Sequence, residues 1–454
     1  MRRVLVANRG EIAVRVVRAC FDEGLESVVA ASSADKDSLA ARLADGVVVI
    51  GPPLARDSYL SVERIVAAAL TTGCDAVHPG YGFLSERPEL ADACAENGLT
   101  FVGPPGPVMR RSGDKLRSRE VAVSLGIPTG GGTAGLASVE EAVEAADRLA
   151  AYPYILKASA GGGGRGMTIV RTAADLLRGF DVSRHEAEVA FGDGTVYLER
   201  YVENARHVEV QILADTHGNV VHLGERDCSA QRRHQKLIEE APAVSLPAGV
   251  AEGVRAAAVA LCVELEYVGA GTVEFLVDVV RGDFLFLELN ARVQVEHPVT
   301  EMVTGIDIVR TQLRIAQGEP LPFKQEDVVM TGHSIECRIN AEDPRAGFLP
   351  NPGRIDEWVV PQGADVRVDT YVQPGVTIPP FYDSMVAKVI VRGRDRRDAL
   401  GVMGRALAHL RVGGIVTTAA LHQAIVTEPE FVDSPITTRW LEESFLPRWE
   451  GAPK

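Results

Sequence analysis

From Phe284 to Pro298 the chain reads Phe-Leu-Phe-Leu-Glu-Leu-Asn-Ala-Arg-Val-Gln-Val-Glu-His-Pro, with apolar and polar positions in alternation. A strand sends successive side chains to opposite faces. A half-buried strand running into a loop would therefore aim Glu288, Asn290, Arg292, Gln294 and Glu296 one way and seat Leu287, Leu289, Ala291, Val293 and Val295 against the core. Pro298 has no amide hydrogen and is expected to end the pairing. An ordinary solvated face would carry Lys, Ser or Thr, and this one has none. Two carboxylates and an amide are oxygen ligands suited to Mg²⁺, and an arginine suits a planar oxyanion. Residues 271–278 (Gly-Thr-Val-Glu-Phe-Leu-Val-Asp) read as a second strand, with Arg281-Gly282-Asp283 as the hairpin turn. If paired residue numbers sum to an even value, Glu274 and Glu288 share a face, opposite or diagonal. Facing carboxylates repel unless a cation lies between them, which predicts a divalent metal held by Glu274, Glu288 and Asn290.

The first hundred residues alternate differently. Short apolar runs at 3–7, 27–32, 47–50, 76–77 and 99–102 read as strands, and amphipathic stretches at 12–21, 35–44, 58–70 and 86–96 as helices. That is the pattern of a parallel, doubly wound sheet. The segment from His78 to Glu86 follows a strand, where such sheets bind ligands. It also reads as a Gly/Pro turn with Ser85 capping a helix, and the two readings are compatible. The proline-rich segment 103–107 marks a first domain boundary, with Gly113-Asp114-Lys115 opening the next helix.

Helices are expected at 114–125 and 138–149, then a strand at 154–158 ending on Lys157-Ala158. The run Gly161-Gly162-Gly163-Gly164-Arg165-Gly166-Met167 formally contains G-x-G-x-x-G, but a β-branched strand (168–171) follows where that motif needs a helix. It reads better as a loop between strands, a lid whose bare amides close on phosphate oxygens. Extended segments at 196–201 and 206–212 follow. Glu199 could accept an adenine amino group or be a surface carboxylate. The polar cluster from Glu225 to Glu240 reads as a pocket wall handling anions. A single helix is expected over 300–317. The alternating stretch 333–342 places Arg338 on a face with Glu336 and Asn340, where a structural salt bridge is its alternative role. Strands at 366–371 and 385–392 and a helix at 395–410 make the last part α+β.

Composition narrows the class. A chain of 454 residues suggests about three domains. The net charge of -15 argues against a general nucleic-acid binder, and no run approaches the ~20 apolar residues that span a bilayer. Six scattered cysteines without a C-x-x-C pair fit reduced thiols in the cytoplasm.

Taken together, Val6–Ala13, His78–Glu86, Gly113–Lys115, Lys157 with Gly161–Met167, Glu225–Pro242, Glu288–Glu301 and Glu336–Glu342 closely resemble the biotin carboxylases of the ATP-grasp group, in the same order and over nearly the whole chain. The resemblance implies an N-terminal doubly wound domain (1–113), an ATP-grasp domain (114–331, with a lid at about 130–203) and a C-terminal α+β domain (332–445). It implies that bicarbonate attacks the γ-phosphoryl of MgATP (or MnATP), and that CO₂ passes from carboxyphosphate to biotin on a separate carrier protein. By the same resemblance Lys115, Lys157 and the glycine loop contact phosphates. Glu199, Val202, His207, Gln231, His234 and Leu276 line the nucleotide site, and Glu274, Glu288 and Asn290 hold the metal. Arg292, Gln294, the Val295 backbone and Lys236 cradle bicarbonate, Glu296 is its base, Arg338 stabilises the biotin enolate and Tyr81 borders biotin. No Met-Lys-Met attachment sequence occurs, so carrier and carboxyltransferase are expected as separate subunits of an acetyl-CoA carboxylase in fatty-acid synthesis; the biotin carboxylase portion of a longer acyl-CoA or pyruvate carboxylase is the alternative. A homodimer is expected. Another ATP-grasp carboxylate ligase would share the lysines and lid but not Arg292-x-Gln294-x-Glu296 with Arg338. A nucleotide-binding regulator without catalysis would not need the acid and base set.

Overall fold

The computed structural model describes residues 1–113, 115–133, 135–149, 152–158, 167–191 and 193–449. Strands Arg3–Val6, Glu26–Ser32, Gly46–Gly51, Ala76–His78 and Thr100–Phe101 form a parallel sheet in the spatial order third, second, first, fourth, fifth. The order reverses at Arg3–Val6, so a crevice opens beyond the carboxyl ends of the first and fourth strands. Asn8 lies there and ties two loops together, donating from Nδ2 to the carbonyls of Pro79 and Tyr81 at 2.7 Å each. Gly80 (φ +63°) packs against it so closely that a Cβ would come within 2.9 Å of Asn8 Nδ2. Ser85 does not cap the next helix: that helix is Pro88–Glu96, its N-cap is Arg87, and the Ser85 hydroxyl is buried without a partner. Part of the expected boundary segment is helical, Gly106–Gly113.

Strands Met167–Val170, Tyr154–Ala158 and Val196–Arg200 form a small antiparallel sheet in that order. Helices Val139–Leu149 and Ala173–Phe191 share its core through Ala142, Ala146, Leu176 and Phe180. Gly161–Gly166, the core of the expected loop, lie outside the described residues.

The remainder is built on one antiparallel sheet of eight strands, in the order Asp283–Asn290, Gly269–Asp278, Ala205–Ala214, Val220–Arg232, Gln235–Ala241, His333–Asn340, Met385–Gly393 and Val366–Thr370. It runs without a break across the boundary expected near 331. Helix Val250–Glu264 buries Val254, Ala258 and Leu261 against Val208, Val210 and Ile212. The single helix expected over 300–317 is two, His297–Thr304 and Ile308–Ala316. Gly305 at φ +72° ends the first, and the Asp307 side chain caps the second through the Arg310 amide. All six cysteines are free and buried. Among the described residues no helix is long and apolar enough to cross a membrane.

Candidate active site

Strand Ala205–Ala214 is buried along its whole length although charged and apolar residues alternate in it. Val208, Val210 and Ile212 enter the helix-covered core, and His207, Glu209 and Gln211 project to the other face. Neighbouring strands add to that face in register. Glu288 lies opposite Glu274, Glu274 beside Glu209, and Glu209 beside Arg226, giving a lateral row of three carboxylates and an arginine. At this pair the residue numbers sum to an even value, the condition under which the two glutamates share a face. Between Glu274 and Phe275 the register slips by one residue, so Leu276 faces Leu285. That bulge turns the row apolar. Leu285 and Leu276 meet Val202 and Ala205, with His207 beside Leu276.

The strand expected over 284–298 is a strand only to Asn290. Its continuation is diverted because the Ala291 amide donates to the Glu86 carboxylate (3.2 Å) in the first-domain crevice. Arg292 follows, donating from Nε to Glu86 (2.9 Å) and from Nη1 to Gln294 Oε1 (2.7 Å). Glu296 is the N-cap residue of helix His297–Thr304. A folded loop, not a continued pleat, brings the polar set together.

Lys236 arrives through a second irregularity. Ala230 pairs with Ile238 but Gln231 with Lys236, so one extra residue on strand Gln235–Ala241 turns Lys236 onto the face that Glu239 also occupies. Its Nζ donates to Glu209 (2.5 Å), Glu274 (2.9 Å) and Glu296 (2.7 Å). Burial disfavours the ammonium, but the three carboxylates outweigh it and hold its pKa well above normal. Burial likewise opposes charge on Glu296, yet Lys236, Arg338 and Arg226 keep it ionised and its pKa well below the carboxylate range. Glu274 is lowered in the same way, burial being overcome by Lys236 and by His207, whose Nε2 lies 3.1 Å away. Asn290 Nδ2 also donates to Glu274 (3.0 Å). Arg338 donates from Nε to Glu239 (2.6 Å) and from Nη2 to Glu296 (2.9 Å). The Tyr81 hydroxyl donates to Glu11, which pairs with Lys388 at 2.9 Å, and Lys388 holds the Val295 carbonyl at 2.8 Å.

Beside these groups one cleft of about 1360 Å³ opens between the parallel sheet, the large sheet and the small sheet. Lys157, Glu199, Val202, His207, Gln231, His234, Glu274, Leu276, Glu288, Asn290, Arg292, Gln294, Val295, Glu296, Lys236, Arg338 and Tyr81 all border it. Arg233 and His234 form the tight turn between two strands with φ of 46° and 65°. Glu199 accepts from Lys157 and Arg119, so in this arrangement it anchors two cations. Lys115 opens helix Lys115–Ser124, and Met167 begins its strand; Arg165 is outside the described residues. Reading the sequence missed Glu209, Lys388, Arg119 and Leu285 as parts of the site, and it placed Glu239 in the pocket wall and Glu86 in the crevice loop without giving either a partner. For Glu209 a signal was present, since 207, 209 and 211 alternate as 288 and 290 do. For Leu285 there was none, because the bulge that re-aims it is not written in the hydropathy pattern.

The donor set fits a hard divalent ion. Glu274 and Glu288 oppose each other with Asn290 one pleat away, and His207, Glu209 and Glu274 bring ligand atoms within 4.8 Å of one another.

Comparison with known proteins gives a consistent result. Residues 1–109 match the family described as biotin carboxylase, N-terminal domain; 114–324 match carbamoyl-phosphate synthase L chain, ATP binding domain; and 336–443 match biotin carboxylase C-terminal domain. Biotin carboxylase 1 of Bacillus subtilis is 48% identical over 443 residues, 97% of this chain and 98% of that protein. A pyruvate carboxylase subunit from Methanothermobacter thermautotrophicus is 48% identical over 442 residues, 97% of this chain and 89% of that protein. The structure of the biotin carboxylase domain dimer of the Hydrogenobacter thermophilus 2-oxoglutarate carboxylase, in complex with MgADP, ADP and bicarbonate, superposes with a TM-score of 0.89 at 47% identity, covering 97% of each chain.

Proposed function

The chain belongs to the biotin carboxylase family, ATP-dependent enzymes that carboxylate biotin, and we propose that its cleft seats the nucleotide at the Leu276–Leu285 end and bicarbonate at the Glu296–Arg338 end. One observation carries the reading: a fully buried carboxylate, Glu296, held between Lys236 and Arg338. In that state it is a weak base, because both cations favour its charge. An incoming anion offers Lys236 and Arg338 a further partner in place of Glu296. Their hold on Glu296 loosens, and its pKa rises toward the range a general base needs.

Glu296 then takes the bicarbonate proton, and the bicarbonate oxygen attacks the γ-phosphorus of ATP, giving carboxyphosphate and ADP. Carboxyphosphate releases CO₂ and phosphate, the released phosphate takes the N1′ proton of biotin, and N1′ bonds to CO₂. Arg338 stabilises the enolate that biotin forms, with Tyr81 beside it. Arg292, Gln294 and the Val295 backbone orient bicarbonate. Lys115, Lys157 and the glycine segment 161–166 with Met167 hold phosphates. Glu199, Val202, His207, Gln231, His234 and Leu276 surround the base and ribose, and the missed Leu285 joins them. Mg²⁺ would be held by Glu274, Glu288 and Asn290, and when bound it neutralises charge on the phosphates. Positioning and charge neutralisation of this kind carry most of phosphoryl-transfer catalysis.

The division at 1–113, 114–331 and 332–445 is part of the same reading, as are a homodimer, a cytoplasmic setting, and partnership with a biotin carrier protein and a carboxyltransferase. An acetyl-CoA carboxylase feeding fatty-acid synthesis is the first reading. The equal identity of the pyruvate carboxylase relative supports a second, in which pyruvate is the final acceptor. The test is ADP release from MgATP with bicarbonate and free biotin varied. Bicarbonate dependence with stimulation by biotin is expected, and no bicarbonate dependence in folded, ATP-binding protein overturns the reading. Adding purified carrier and carboxyltransferase and assaying malonyl-CoA against oxaloacetate separates the two contexts.

A further inference from the structure

Strands Gln235–Ala241 and His333–Asn340 pair so that Glu239 lies directly opposite Glu336. Both are fully buried. Opposed residues of an antiparallel pair stand about 4.5–5.5 Å apart at Cβ, so the two carboxyl groups are within reach of each other. Glu239 Oε1 accepts from Arg338 Nε at 2.6 Å. Glu239 Oε2 and both Glu336 oxygens have no hydrogen-bond partner. The charged groups facing them leave those three oxygens unpaired. Arg338 divides itself between Glu239 and Glu296. Lys236 is bound to Glu209, Glu274 and Glu296. Lys388, which lies opposite Arg338 on the next strand, donates to Glu11 and the Val295 carbonyl. Cys337 is the titratable neighbour between Glu336 and Arg338, and its thiol is pushed up by burial.

Two ionised carboxylates opposed across a strand pair, three of their oxygens without a donor, cannot both persist in a core. One proton resolves the conflict. On Glu336 it makes a hydroxyl whose acceptor is the open Oε2 of Glu239. The electrostatics agree. Burial, only partly offset by Lys388, lifts Glu336 well above the carboxylate range, and burial, partly offset by Arg338, lifts Glu239 to about 7.

We propose that Glu239 and Glu336 are a one-proton pair that positions Arg338. Glu336 donates to Glu239 Oε2, and the single negative charge kept on Glu239 holds Arg338 through Oε1 while Glu296 carries the proton taken from bicarbonate. The inference rests on Glu296 as base and Arg338 as the group that meets biotin. When Glu296 becomes neutral, Arg338 loses one of its two anionic partners. Glu239 Oε1, which both Nε (2.6 Å) and Nη2 (2.5 Å) of Arg338 approach, keeps the guanidinium in place, and the Nη2 hydrogen given up by Glu296 turns to the oxyanion on biotin. If the pair lost its proton, a second anion beside Arg338 would compete with that oxyanion.

Two variants test the pair in the intact enzyme. Glu336→Gln replaces the protonated carboxyl by a neutral donor that cannot ionise. Biotin-stimulated kcat is expected to stay within about threefold of the parent, with the alkaline limb of its pH profile moved up by about one pH unit or more. Glu239→Gln removes the charge that holds Arg338. Biotin-stimulated kcat is expected to fall about 10²-fold, the cost of a misplaced catalytic group, with KM for ATP kept. Glu336→Gln as impaired as Glu239→Gln, or with an unmoved alkaline limb, overturns the proposal. A parent enzyme without bicarbonate-dependent ADP release overturns the underlying reading instead. Should either variant fail to fold, a ¹³C-carboxyl NMR titration of the parent decides. A glutamic acid still protonated at neutral pH supports the pair, and complete ionisation of every carboxyl overturns it.

Discussion

Arg338 Nη2 donates to Glu296 Oε2 at 2.9 Å, while Lys236 Nζ donates to Oε1 of the same carboxylate at 2.7 Å. The group read as the base is thus clamped by the two cations that substrate anions would recruit. Glu296→Gln keeps the shape and removes the charge. Bicarbonate-dependent ADP release should fall about 10²–10⁴-fold while the Kd for MgATP stays within about twofold. Steady-state assays with calorimetry check both, and preserved turnover removes Glu296 as the base.

Lys236 neutralises three carboxylates that otherwise face one another, Glu209, Glu274 and Glu296. Lys236→Met leaves them buried without their common cation. A loss of about 3–5 kcal/mol in stability is expected by urea unfolding, the usual cost of breaking a buried ion pair from one side. An unchanged midpoint would mean that other cations compensate.

Glu288 opposes Glu274 across the hairpin. Glu288→Lys places an ammonium where the metal would sit. The Mg²⁺-dependent gain in nucleotide affinity should drop about 10–100-fold, with ADP binding in the presence of EDTA little altered. Calorimetry with and without Mg²⁺ measures it, and an undiminished Mg²⁺ effect would sink the metal assignment.

Leu285 reaches the apolar patch of Leu276, Val202 and Ala205 only because of the bulge after Glu274. Leu285→Ala should raise KM for ATP about tenfold at nearly constant kcat, as expected when apolar contact is lost equally from ground and transition states. A fall in kcat with KM unchanged would place Leu285 elsewhere in the mechanism.

Glu240 lies on the opposite face of its strand, accepting from His333 (2.8 Å) and Arg396 (2.6 and 2.9 Å). Burial works to raise its pKa, but His333 and Arg396 win and hold it at about 2, below its ordinary 4.5. A folded-state pKa below the unfolded one means that ionisation favours the fold. The contribution, on the order of 3 kcal/mol, is complete above the unfolded value and is lost as pH falls from about 4.5 to about 2. Glu240→Gln should be less stable at neutral pH and show a shallower decline through that window. Urea midpoints measured across it check the slope, and an equal slope in parent and variant would show that other carboxylates govern acid unfolding.

Local period and residue chemistry, both legible along the chain, specified part of the fold. Apolar runs between amphipathic stretches specified the parallel sheet of the first hundred residues, because its inner strands Arg3–Val6, Glu26–Ser32 and Ala76–His78 are buried on both faces. Period-two alternation put Glu274 and Glu288 on the polar faces of two paired strands, but the pairs nearest the turn have an odd sum, and only the slip after Glu274 brings the two glutamates opposite each other. Tertiary structure decided whatever depends on departures from that period. The strand through Leu289 and Asn290 stops where Glu86, two hundred residues earlier, captures the Ala291 amide. One extra residue on strand Gln235–Ala241 turns Lys236 toward Glu296, and another irregularity turns Leu285 toward Leu276. Glu239 meets Glu336, and Lys388 meets Glu11 and Val295, only because the large sheet continues from Gln235–Ala241 into His333–Asn340 and Met385–Gly393. Hydropathy patterns record which residues are buried. They do not record which strands become neighbours or where a ladder slips by one residue, because those outcomes are fixed by long-range pairing and packing.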